Sequence, residues 1–315
     1  MHLDARGIIS IVVIVIYVPI LIVGIFLSAR HGFARKAGWI SLVILSIIRI
    51  IGAVTHILSE ENPTNVTDRI IYGIMESAGT SPLLIATVGF LRTTTQFGLD
   101  GATLVIKGLR LAGLASLVGL ILAIIGGSEI GNATTQSTLN TGTNLRHAGA
   151  IIFAVVYGMT VLLTAYCWAN KFVILKYRQR LLTGITLTLP FIFVRVLYGV
   201  LSSFAPTPFA IVDGHLVPTA PSNSGLAKFS STSPDWAIYL VMSVLAEYIS
   251  VFIYAVVGII TPLNKDAVDY ENAMARSANS SGQSLNPAQP QYGYQYPPQA
   301  KAYASQRPGG YDGYR

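Results

Sequence analysis

The sequence predicts an all-α membrane protein: a bundle of seven transmembrane helices with a disordered C-terminal tail. Three observations predict it. The chain of 315 residues is 52% hydrophobic and only 11% charged, with mean hydropathy +0.57, whereas soluble domains carry about 25% charged residues. Seven windows supply the roughly 20 apolar residues that a helix needs to cross a bilayer. The basic residues gather in alternate connections between those windows.

The windows run over 7–29, 38–58, 69–91, 108–127, 147–170, 181–204 and 236–260. The first is too long for a signal-peptide core and lacks a small-residue cleavage site, so it is expected to remain as an anchor and first span. The second contains "LSIIRIIGAV", with Arg49 in its middle. The third, "IIYGIMESAGTSPLLIATVGFL", is interrupted by glycines and Pro82 and reads as the weakest. The fifth holds Cys167, the chain's one cysteine, which excludes a disulfide framework within the chain. The sixth contains "FIFVRVLYGV", placing Arg195 much as Arg49 is placed, and the seventh opens on an interfacial Asp235-Trp236 pair.

The transmembrane domain is therefore assigned to residues 1–265 and the tail to 266–315. At the junction, "TPLNKDAVDYENAMAR" reads as one short helix capped by Asn264. The Pro-, Gln-, Gly- and Tyr-rich stretch after it cannot build a core and reads as disordered.

Charge sets the expected orientation. The connections after spans one, three and five carry ten Lys or Arg, against four (Arg6, Arg69, Arg146 and Lys228) in the N-terminal tail and the other connections. The positive-inside bias then places the N-terminus outside and the C-terminus in the cytoplasm, in the secretory pathway or plasma membrane. The sequons at Asn65 and Asn132 fall in connections assigned outside and are candidate glycosylation sites, while a third, at Asn279, falls in the tail assigned inside. With the basic residues explained this way, the net charge of +7 is not a sign of nucleic-acid binding.

An ionisable group at the membrane centre costs at least about 2.5–3.5 kcal/mol and should face the bundle interior with a partner. Arg49, Glu76, Arg195 and Glu247 sit about nine, seven, nine and eleven residues in from the predicted outer ends. At 1.5 Å per residue they share one layer about 6 Å deep, where two charges of each sign can neutralise one another. The positions also repeat: spans two and three carry Arg then Glu, as do spans six and seven, and Tyr17 and Tyr157 each follow an arginine by eleven residues. This suggests a 3+1+3 plan of parallel pseudo-repeats, an arrangement known to frame midplane sites.

The candidate ligand-binding set is Arg49, Glu76, Arg195 and Glu247, with His56, Tyr17 and Tyr157 around it. Each has a plainer role open to it. Buried ion pairs also fix helix rotation, His56 could be an interfacial residue, and the two tyrosines could be packing residues with satisfied hydroxyls.

Several chemistries lack their residues. The five histidines are scattered, with none in span seven, so a zinc hydrolase site is not expected. Residues 236–260 contain no lysine for retinal, and no G-x-x-x-x-G-K-[ST] loop is present. Span three ends "GFLRTTT" rather than Asp-Arg-Tyr, and span seven lacks Asn-Pro-x-x-Tyr, unlike rhodopsin-type receptors. No metal, cofactor or catalytic residue is expected; an intramembrane hydrolase is the minor alternative.

The block "RHGFARKAGWISL" at 30–42, followed by "IRIIGA" at 48–53, resembles a family of uncharacterised fungal seven-span membrane proteins known as a domain of unknown function. The resemblance covers about residues 1–265 and implies fungal origin and a seven-helix fold, with no activity attached. Fungal lipid-translocating exporter-like proteins are similar in layout, which is architectural analogy. The expectation is a multipass protein that holds a small anionic or lipidic ligand in an outward-facing polar pocket, for transport or for sensing through a cytoplasmic partner of the tail. The alternative is a receptor-like or scaffold protein whose intramembrane ion pairs are purely structural.

Overall fold

With no water in a bilayer core, a backbone must satisfy its own hydrogen bonds, so each apolar run closes as a helix. In a computed structural model, the described residues are 4–31, 37–62, 66–99, 102–207, 209–212, 215–218, 225–230, 233, 235–262, 266, 268–269, 272 and 276. They form α1 (Ala5–His31), α2 (Ala37–Glu61), α3 (Val66–Ala78), α4 (Thr80–Thr95), α5 (Thr103–Gly131), α6 (Gln136–Ala169) and α7 (Lys176–Ser203). A short antiparallel hairpin, β1 (Phe209–Val212) and β2 (His215–Pro218), comes next in the chain, and then α8 (Trp236–Ile260). Seven segments are long and apolar enough to span a membrane, with α3 and α4 together making the third.

The outer surface fits a lipid solvent. Val15, Leu104, Leu162 and Phe252 are among many large apolar side chains left exposed, a surface that water would not tolerate over such an area. The third span is the least apolar of the seven, yet 78% of its window is buried, against 28–44% for the others. Far from being marginal, it is the central helix. Surrounded by protein instead of lipid, it has no need of a greasy surface, and its threonine hydroxyls return to the backbone: Thr87 donates to Leu83 O, Thr93 to Gly89 O and Thr94 to Phe90 O. Pro82 has no N–H to offer the preceding turn, and the helix breaks three residues earlier at Gly79.

Glycines bring the other helices close. A Cβ on Gly126 would lie 2.7 Å from Gly142 O, and one on Gly142 would lie 2.7 Å from Gly126 O, so α5 and α6 touch backbone to backbone. Near the other end of the bundle, Gly258 of α8 accepts the Trp39 ring, which packs on Phe90 with centroids 4.5 Å apart.

Two ends of the bundle are distinct. At one, the hairpin end, Ile130, Ala133, Leu139 and Phe209 form a small cluster beneath the strands. At the opposite end, Arg178 at the start of α7 donates to Thr93 O and to Gln96 Oε1 (3.2 Å), while the Asp266 carboxylate accepts the Arg178 N–H at 3.1 Å. Asp266 thereby caps α7 from beyond the last span, meeting the positive end of the helix dipole. Burial pushes its carboxyl above the usual 3.8, against the lowering effect of N–H bonds from Tyr177 and Arg178. In the sequence the stretch "KFVILKYRQR" carries only a topology signal; in the fold it is where three spans are tied together.

Asn264, Gly32 through Lys36 of the basic block and nearly all of the tail lie outside the described residues; of the tail, 266, 268–269, 272 and 276 are helical.

Candidate functional site

Four of the sequence-predicted residues fall in one buried layer, and Glu247 is its hub. The turn before it, Leu240–Leu245, is a π-helix; such a turn, with one residue more than an α-turn, shifts the register of the next turns and is frequent at functional sites. Glu247 is fully buried. Its carboxylate accepts Nε and Nη2 of Arg49 in a bidentate pair, Nε of Arg195 at 3.1 Å and the Tyr17 hydroxyl at 2.8 Å. Four donors on two oxygens saturate it, with charge assistance from both guanidinium groups. The hub joins α1, α2, α7 and α8, and Arg195 adds α3 by donating from Nη2 to Glu76 O at 2.8 Å.

The expected mutual pairing of two Arg with two Glu is therefore not what forms. Both arginines go to Glu247, and Arg195 meets only the backbone of Glu76. The Glu76 carboxylate is 94% buried and enters no ion pair among the described residues, and its Oε1 has no hydrogen-bond partner. Gly79 explains how Arg49 reaches past α3: a Cβ there would lie 3.2 Å from Arg49 Cζ.

Two cavities flank Glu76. One, of about 10 Å³, lies towards α1, α2 and α8 beside Ser10, Arg49, Tyr72 and Tyr239; it has room for one water. The other, of about 50 Å³, lies towards α5, α6 and α7 and is lined by Glu76, Thr80, Arg146, Arg195, Tyr198 and Ser202 among others. It sits on the hairpin-end side of the layer, since Ser202 and Ser203 close α7 there.

Arg146 is the site residue that sequence reasoning missed. Hydropathy places it in a connection, yet it lies eleven positions into α6, a helix that begins at Gln136 and runs 34 residues. Its hydrogen bonds go to the Ser202 carbonyl (2.9 Å) and hydroxyl (3.4 Å), with no carboxylate within ion-pair distance among the described residues. Its position at the start of an apolar window hides it; the polar stretch from Gln136 to Leu145 ahead of it is already helical.

The surrounding candidates divide. Tyr17 is a direct ligand of the hub. His56 stands further out: its Nδ1 lies 3.0 Å from the Ser10 hydroxyl and 3.6 Å from Glu60 Oε1, and its ring packs on Tyr72 at 4.2 Å. Tyr157 is not at the site. It is half-buried on α6, donates to Leu189 O at 3.2 Å, packs on Phe193 and lines neither cavity. The Tyr17–Tyr157 correspondence thus has no counterpart in role, and nor does that of Glu76 with Glu247. Asn132 is exposed at the C-terminus of α5, where its side chain donates to Ser128 O at 3.0 Å; Asn65 lies outside the described residues.

Chemically, the larger cavity offers one unpaired carboxylate, two guanidinium groups and several hydroxyls. A metal cation there would meet a single carboxylate beside two positive charges, a poor donor set for one. A polar organic molecule could satisfy both signs.

No curated protein and no solved structure matches the chain. Residues 3–264 match the family described as domain of unknown function DUF7702, which spans the whole seven-helix bundle, and the chain belongs to that family.

Proposed function

We propose that this multipass membrane protein binds a small polar ligand, free or part of a lipid headgroup, in the cavity between α3, α5, α6 and α7, and that binding serves transport or sensing without covalent chemistry. The observation that supports this reading is the cavity itself: about 50 Å³ of space beside the charged layer, bordered by Glu76, Arg146 and Arg195. Buried ionisable groups in a membrane protein are expected to be paired, and where they are not they mark a pathway or a binding site. If the basic connections are cytoplasmic, the cavity lies on the outward side of the layer.

Native mass spectrometry of the purified full chain tests the reading. The wild type should carry a small molecule or lipid that Arg146→Met and Glu76→Gln lose while remaining folded. A wild type that is empty, and that stays empty after incubation with total lipid and metabolite extracts, would refute it.

One observation favours the scaffold reading instead. Glu247 is fully satisfied by protein donors, so the hub needs no ligand, and a purely structural layer would tolerate charge-swapped pairs without loss of any cellular phenotype.

A further inference from the structure

We infer that the ligand of this cavity is a small zwitterion, carrying an ammonium for Glu76 and a carboxylate or phosphate for Arg146. This rests on the ligand-binding reading and names its chemistry.

The presence of both signs of charge around the cavity carries the assignment. The hub contains two guanidinium groups and one carboxylate, with Tyr17 as a neutral donor. Outside it, Glu76 and Arg146 border the same cavity, and no ion pair forms between them among the described residues. Two opposite charges bordering one cavity, with no ion pair between them, leave a gap that suits a bridging dipole. A simple anion would find Arg146 and Arg195 but would also face the buried Glu76 carboxylate, and repulsion in a low-dielectric interior is severe. A simple cation would find Glu76 but face both guanidinium groups. A molecule with both charges satisfies each side and adds no net charge to the layer.

Geometry agrees. Arg146 is held in place by two contacts to Ser202, and a guanidinium fork can present parallel N–H groups to an acid. Glu76, whose Oε1 is buried and unpartnered, lines the same cavity. Thr80 and Ser202, both bearing hydroxyls, also line it. A cavity of about 50 Å³ has room for roughly four water-sized spheres, matching a molecule the size of glycine or the amine-and-acid tip of a larger one. Free zwitterions and zwitterionic lipid headgroups share this chemistry.

Thermal unfolding of the full chain in dodecyl maltoside, with glycine, acetate or methylammonium at equal concentration, tests the charge rule. A second arm compares phosphatidylglycerol nanodiscs with and without phosphatidylethanolamine. Glycine should raise the wild-type midpoint by roughly 2–4 °C at saturation, with acetate and methylammonium silent. Glu76→Gln and Arg146→Gln should each abolish the glycine shift.

Glu76→Gln should in addition gain a response to acetate, because the repelling carboxylate is gone. That gain cannot come from a misfolded variant. Stabilisation by the phosphatidylethanolamine nanodisc but not by free glycine would assign the same chemistry to a lipid headgroup. If acetate alone, or methylammonium alone, stabilises the wild type, the zwitterion is overturned and the binding site survives. If no probe and no lipid shifts the wild type, both fall.

Discussion

Replacing Glu247 by glutamine should destabilise the bundle more than any other single isosteric change in the charged layer. The carboxylate receives the Tyr17 hydroxyl and Arg49 Nε on Oε1, and Arg49 Nη2 and Arg195 Nε on Oε2. A glutamine amide has one oxygen and one NH₂. Whichever way it turns, two of the four donors face another donor, and both guanidinium groups lose their counter-charge. At about 1.5–3 kcal/mol for each hydrogen bond involving a charged partner, two lost bonds come to roughly 3–6 kcal/mol. That range overlaps the roughly 3–5 kcal/mol measured when one partner of a buried ion pair is removed. Arg49→Met should cost less, because Glu247 then remains in a neutral pair with Arg195 and still accepts Tyr17. Unfolding in mixed dodecyl maltoside and dodecyl sulfate, followed by tryptophan fluorescence, gives the ranking. A Glu247→Gln variant within about 1 kcal/mol of wild type, or one less damaged than Arg49→Met, would refute the hub.

Tyr17→Phe should cost about 1.5–3 kcal/mol through its lost bond to a buried charge, whereas Tyr157→Phe, which loses a half-exposed contact, should stay near ~0.5 kcal/mol in the same titration. Gly258→Ala drives a Cβ into the Trp39 ring, so it should cost about 1–3 kcal/mol as overpacking and shift Trp39 emission. The raised Asp266 carboxyl means that the folded chain binds a proton more readily than the unfolded one just above pH 3.8. Stability should therefore fall as pH rises through that acid window, and Asp266→Asn should remove the slope in melting curves taken across it. Expression in a eukaryotic host should yield a glycosidase-sensitive band that Asn132→Gln removes; no modification at Asn132, with modification at Asn279, would invert the proposed orientation.

The fold was legible because lipid imposes a coarse rule: apolar runs of sufficient length must be helices. The same rule misleads at the third span, where low hydropathy reads as weakness. A helix enclosed by protein answers to packing and hydroxyl satisfaction, which is what Thr87, Thr93 and Thr94 provide. The charged layer was legible as depth, since rise per residue is fixed, and Arg49, Arg195 and Glu247 do meet. Partner choice was not, because helix rotation is set by neighbours far along the chain. Gly79 beside the Arg49 guanidinium and the π-turn before Glu247 steer it, and neither feature stands out from the residues alone. Arg146 was invisible for a different reason: hydropathy marks where a helix is greasy, and α6 begins eleven residues before its greasy part.

The sequence correspondence between spans two–three and six–seven extends to a shared acceptor for the arginines and to nothing shared by the glutamates. Arg49 and Arg195 reach the same acceptor, Arg49 through two nitrogens and Arg195 through one, while Arg195 Nη2 goes to the Glu76 carbonyl. Of the two glutamates, one is saturated and the other is left facing the cavity. The Glu247 hub touches Glu76 through the Arg195 bond to the Glu76 backbone carbonyl. That bond makes the two halves of the layer mechanically continuous. A bound group that draws the Glu76 side chain into the larger cavity would pull on α3 next to the Gly79 break, with Arg195 and through it α7 and α8 attached. The route from Glu76 to α7 and α8 therefore runs through the Arg195 side chain, which donates both to the Glu76 carbonyl and to the Glu247 carboxylate, so a displacement of Glu76 would be felt at the hub itself.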